Sequence, residues 1–102
     1  MARVIEGVLH EELRNSRRMY RRYQQALRKL GKGSLSARLI RGHRYYYRAI
    51  YDKGRMHFRY LGKLAPQVVA QWRERERQRK RYRRLFREVK RQIAFLEKSL
   101  RG

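Results

Sequence analysis

Thirty of the 102 residues are Lys or Arg and eight are acidic, a formal net charge of +22. A chain this basic repels itself when compact unless a polyanion lies against it, and nucleic acid, whose phosphates supply most of the affinity for basic proteins, is the expected one. With no Cys, disulfides and thiolate metal sites are excluded. No stretch approaches the roughly 20 apolar residues of a membrane span, and the opening MARVIEGVLHEEL is too short and too soon acidic for a secretory signal. The expected location is the cytoplasm, in association with the nucleoid or a ribonucleoprotein.

A single domain is expected over residues 1–102, with a small core. The first element is a helix over 4–30. Leu9, Leu13, Ser16, Tyr20, Tyr23, Leu27 and Leu30 recur at alternating spacings of four and three, a heptad-like seam. Gly31 in the C′ position stops it. Over 35–61 the periodicity changes to alternation. Ser36–Arg41, Arg44–Tyr51 and Arg55–Leu61, separated by turns at Gly42-His43 and Asp52-Lys53-Gly54, predict a three-stranded meander. Pro66 then opens a helix over 66–100. Its seam runs through Val68, Trp72, Arg75, Arg79, Tyr82, Phe86, Val89, Ile93, Leu96 and Leu100, apolar at both ends and cationic in the middle.

The fold class read from this pattern is α+β, mostly α. Two long helices form an antiparallel coiled-coil hairpin with a small three-stranded antiparallel β-sheet at the tip. A helix of the last length spans roughly 50 Å, too long to pack on the sheet alone. Its mate is the first helix or, equally compatible with heptads, a second molecule, so monomer and homodimer both stay open. If Leu30 lies beside Pro66, Arg17, Arg18, Arg21 and Arg22 fall opposite Arg73–Arg81. Two basic tracts, the second including Arg73, Arg77, Lys80 and Arg81 and continuing to Arg84, then meet on the hairpin and suit phosphate tracking. Glu74 and Glu76 relieve part of the repulsion.

Alternation sorts the sheet into two faces. Tyr45, Tyr47, Ala49, Tyr51, Met56, Phe58 and Tyr60 are expected to form the core face against Val68, Val69 and Trp72. Arg44, Tyr46, Arg48, Ile50, Arg55, His57, Arg59 and Leu61 are expected to face outward. With Arg38, the Arg, Tyr46 and His57 positions are the candidate contacts to nucleic acid, either as a ribbon in a major groove or as a platform stacking on unpaired bases. A one-residue slip at a turn exchanges a strand's faces.

Gly33–Lys63 reads GSLSARLIRGHRYYYRAIYDKGRMHFRYLGK. This segment, about a third of the chain, resembles small uncharacterised bacterial and archaeal proteins. In those, a Gly-Ser-Leu start, an Ile-x-Gly-x-x-Tyr-Tyr-Tyr strand, a Gly-Lys turn and a Tyr-(Leu/Ile)-Gly-Lys end lie between two charged helices. Here the Gly-Lys turn is Gly54-Arg55. More distantly it is similar to the N-terminal hairpin of insertion-sequence transposases and the arm-binding sheet of tyrosine recombinases, whose catalytic domains the chain lacks. The resemblance implies a nucleic-acid-facing accessory module of the kind found on mobile elements.

No constellation for catalysis stands out. Asp52, the single Asp, falls in a turn, and Glu6, Glu11, Glu12, Glu74, Glu76, Glu88 and Glu97 form no evident acid–base pair. His10, His43 and His57 lack a metal-ligand spacing. Gly31-Lys32-Gly33-Ser34 lacks the spacing of a phosphate loop. The expectation is a non-enzyme without cofactor or metal that binds nucleic acid, with a larger nucleoprotein complex as a candidate setting. The Arg-rich helices together with exposed aromatics favour structured RNA. The alternatives are a duplex-DNA-binding accessory of a mobile element or nucleoid, and a protein-interaction module acting as inhibitor or assembly factor of a nucleic-acid enzyme. An anionic membrane surface fits less well, because the apolar seams are narrow.

Overall fold

The computed structural model describes residues 2–102. The chain runs α1 (Ala2–Leu30), β1 (Ser34–Ile40), β2 (His43–Asp52), β3 (Arg55–Gly62) and α2 (Pro66–Arg101). Contacts divide it into two compact units. One is helical, made of residues 2–29 and Lys80–Gly102. The other, Leu30–Arg79, holds the sheet and the first part of α2. Among the described residues no helix is long and apolar enough to cross a membrane.

In the helical unit the two seams meet. Leu13, Ser16, Val89 and Leu96 are buried along it. Tyr20 packs on Phe86 with ring centroids 4.7 Å apart, and Tyr23 on Tyr82 at 6.0 Å. Gln92 donates to Glu12 at 2.9 Å, and Arg17 pairs with Glu97 at 3.5 Å. From Glu12–Gln92 through Tyr20–Phe86 to Tyr23–Tyr82, positions rise along α1 as they fall along α2, so the helices run antiparallel, with the long Arg17 and Glu97 side chains reaching along the seam. Basic residues in the last turn of each, Arg28 and Lys29 in α1 and Lys98 and Arg101 in α2, oppose the helix dipoles.

The helical register differs from expectation. The basic tract around Tyr20 lies beside the α2 stretch around Tyr82 and Phe86, not beside Arg73–Arg81. The first turns of α2, from Pro66 to Arg79, are committed to the sheet unit. There Glu76 and Arg73 bind the main chain of β1, which leaves only the later turns to pair with α1.

Ser16 is 0 % exposed, and its hydroxyl has no hydrogen-bond partner. A small residue at this seam position lets the helices approach closely, but the buried oxygen is uncompensated. Ser16→Ala is expected to raise stability by about 1 kcal/mol, since it removes an unsatisfied group and improves helix propensity. Ser16→Leu should lower it by overpacking. Thermal melts followed by circular dichroism read both.

In the sheet unit the strand order is β1-β2-β3, all antiparallel. Each hairpin turns on two residues with positive φ, Arg41-Gly42 (52° and 79°) and Lys53-Gly54 (50° and 77°). Positive φ at both central positions is the backbone signature of the two-residue type I′ hairpin. The first turn therefore lies one residue earlier than Gly42-His43, and His43 opens β2. Between Tyr46 and Tyr47 the β2–β3 register shifts, because Tyr46 faces Gly62 while Tyr47 faces Tyr60. Leu61 is thus the extra residue of a bulge. At the start of α2 the Ala65 carbonyl accepts the first N–H groups, those of Val68 and Val69, with Pro66 in the first turn where its missing donor costs nothing.

Candidate nucleic-acid interface

The two sheet faces are exchanged relative to expectation. Tyr46 is only 8 % exposed, and Leu35 beside it on the same face is also buried. Arg48, opposite Leu35, is half-buried and donates to the Lys32 carbonyl at 3.0 Å. Tyr46 is therefore a core residue, and Arg48 a brace for the segment that follows α1. The face assigned to the core is open. Tyr51, Met56, Phe58 (54 %) and Tyr60 (58 %) are exposed, and only the small Ala49 is buried among them. The deciding signal is in β1, where Ser34-Leu35-Ser36 points one aliphatic side chain away from two hydroxyls. Pairing then sets Leu35 against Arg48, which fixes the Tyr46 face as the covered one. A reading that assigns faces from β2 and β3 alone misses it.

The open face carries an aromatic cluster. The Tyr60 ring lies 5.2 Å from Tyr47 and 6.5 Å from Tyr45. The bulge at Leu61 bends β3 so that one ring meets two. The Arg38 guanidinium sits 5.3 Å from the Tyr47 ring centre and the Lys63 ammonium 5.7 Å from that of Tyr45. Ile40, Arg41, Tyr45, Tyr47 and Tyr60 line a shallow groove of about 580 Å³. Exposed cation–π contacts are worth about 0.5–1 kcal/mol, whereas a base stacked on an aromatic side chain is worth about 1–3 kcal/mol. On these magnitudes a flat aromatic ligand stacked on a ring would be favoured over Arg38 or Lys63, and the displaced cation would be free to meet an anion.

The basic residues fall into two sets. The first is already engaged within the protein. Arg73 is half-buried, donates to the Leu35 carbonyl and pairs with Glu76 at 3.2 Å, while Glu76 accepts the Leu35 N–H. These two side chains satisfy both backbone groups of Leu35 at the outer edge of β1. The buried Arg79 donates to the Gly33 carbonyl, and Arg75 lies over the Trp72 ring at 4.8 Å. Of the cationic interruption of the α2 seam, Arg79 is thus a brace to the segment before β1, while Arg75 stays exposed over a ring of its own helix. Arg77 holds Glu74 at 2.6 Å. That hydrogen bond, with a second from Gln78, keeps the Glu74 carboxyl below the ordinary Glu range, so the Arg77 charge is locally offset. Arg17 is tied to Glu97 and Arg18 to Asn15.

The second set is open. Among the described residues Arg21, Arg22, Lys80, Arg81 and Arg84 in the helical unit are exposed without an ion pair or hydrogen bond. So are Arg44, Arg55, His57 and Arg59 in the sheet unit. Arg38 is exposed and touches only the Tyr47 ring. Arg41 and Lys63, together with the tyrosines of the open face, join the candidate contacts, and sequence reasoning did not single them out as such. Among the described residues no three His, Asp or Glu side chains gather into a metal-binding group.

No family model, curated protein or solved structure matches the chain.

Proposed function

We propose that this is a non-catalytic nucleic-acid-binding protein that acts in the cytoplasm on structured RNA, as a component of a ribonucleoprotein. The observation that carries the reading is the open sheet face, where exposed Tyr and Phe rings are ringed by cations that have no acidic partner. Stacking surface beside guanidinium is what unpaired bases and their phosphates require. Exposed apolar area of this kind marks an interaction site. The unengaged arginines of the helical unit supply further phosphate contacts, and their preference over Lys suits bidentate contacts to phosphate.

A second reading, a duplex-DNA-binding accessory protein of a mobile element or nucleoid, draws on β3 for its duplex contact. This edge strand is exposed on both faces from Arg55 to Tyr60 and presents Arg55, His57 and Arg59 in the manner of a groove-reading ribbon.

The test is affinity for an RNA hairpin and for a DNA duplex with the same number of phosphates, measured against salt on nuclease-treated protein. If six to ten phosphates are neutralised, affinity should fall roughly 10³–10⁵-fold between 50 and 200 mM salt. A flat response overturns the reading. Tighter binding of the duplex at every salt concentration selects the second reading.

A further inference from the structure

We infer, resting on the nucleic-acid reading above, that the groove lined by Ile40, Arg41, Tyr45, Tyr47 and Tyr60 is a stacking site for unpaired bases, with Arg41 as its phosphate anchor. Two observations support it independently. The first is the Tyr45–Tyr47–Tyr60 ring cluster, exposed at Tyr60 and half-buried at the other two, with Arg38 and Lys63 poised over it. The net charge of +22 makes a polyanion its complementary occupant rather than a second copy of the same cationic chain. Base-paired nucleic acid hides its ring faces inside the stack, so a site built of tyrosines serves only bases that are splayed out.

The second observation is the backbone of Arg41. It stands at φ 52°, in the first central position of a type I′ turn, where Asn, Asp or Gly sits without strain. A bulky side chain held in that region is a local compromise, and what sets Arg41 apart is that it also lines the groove. Lys53 occupies the equivalent position of the other turn, φ 50°, at the far end of β2, and does not line it. The chain therefore carries its own control: same turn, same strain, same charge, different place.

Two probes are used: a stem closed by a loop of unpaired residues and a blunt duplex with equal phosphate count. The stem-loop is made both as RNA and as DNA. Wild-type protein should prefer the stem-loop. Tyr47→Ala and Tyr60→Ala should each weaken stem-loop binding about tenfold or more and duplex binding little, while Tyr47→Phe keeps the ring and stays within about twofold of wild type. Arg41→Asn should raise the melting temperature yet cost roughly fivefold more stem-loop affinity than Lys53→Asn. Loss of affinity with a gain in stability separates a contact from a folding defect. Preference for either sugar supports the site, and the ratio assigns RNA or DNA.

Equal affinity for stem-loop and duplex, with Tyr47→Ala shifting neither or both alike, overturns the inference and leaves general nucleic-acid binding standing. A dimer in sedimentation that Tyr60→Ala converts to monomer, without loss of stem-loop affinity, also overturns it and gives the face to a second copy. Failure of wild-type protein to bind either probe removes the nucleic-acid reading itself.

Discussion

Replacing Glu76 with Ala is expected to cost about 2–3 kcal/mol, since it strands a backbone donor and removes the counter-charge of Arg73. The Leu35 N–H donates to Glu76, and Arg73 binds both the Leu35 carbonyl and Glu76. Leu35 is itself buried, so water is poorly placed to substitute for the carboxylate. The loss also raises the net charge of a chain with only eight acidic residues. For a domain of this size the melting temperature should drop by roughly 10–20 °C. Glu76→Gln retains a carbonyl acceptor without the charge and should recover a large part of the loss. Hydrogen exchange at the Leu35 amide is the local readout. It should accelerate strongly in Glu76→Ala and modestly in Glu76→Gln. Equal melting of wild type and Glu76→Ala would show that the β1 edge needs no support from α2.

Gly33→Ala is the second large effect. Gly33 stands at φ 105°, and a Cβ there would lie 2.9 Å from the Arg48 Nε, 3.2 Å from its Cγ and 3.2 Å from the Ile50 Cγ1. Backbone strain and crowding together should cost about 2–4 kcal/mol. The far end of Arg48 can give way only by leaving the Lys32 carbonyl, and the Ile50 Cγ1 is a short, branched neighbour. Arg48 is held to the Lys32 carbonyl, and the Gly33 carbonyl is itself the acceptor for buried Arg79. Gly31→Ala is the matched comparison, with φ 72° and nothing within 4 Å of the added carbon. It should cost only about 1 kcal/mol, from the backbone alone. The difference between the two melts is the packing term. If both variants melt alike, the crowding at Gly33 is relieved elsewhere and Arg48 is not a fixed brace.

Both substitutions act at the junction between α1 and β1, where the carbonyls of Lys32, Gly33 and Leu35 and the Leu35 N–H are met by side chains distant in sequence. That junction was the least legible part of the chain. Nothing local marks Glu76 as the acceptor for an amide 41 positions away, and Arg75 and Arg79 read only as an interruption of an apolar seam. The open face was legible in kind but not in side. Every Tyr of Tyr45–Tyr47 suits either surface, and the choice depends on which surface β1 helps to cover.

Element types and bounds follow from local chemistry visible in the chain alone. Heptad spacing, Pro66 at a first turn and Gly at three stops place two helices and three strands within two residues of their observed ends. The charge of +22 is likewise legible in composition alone, and it is the ground on which a polyanionic partner is proposed, because Coulomb repulsion depends on composition more than on fold. Tertiary structure decided which sheet face is covered, how far α2 slides along α1, and which arginines stay available. Each of these is a competition among long-range pairings of nearly equal local quality. They were settled by burial of Leu35 and Tyr46 and by the donors and acceptors that burial leaves to be satisfied.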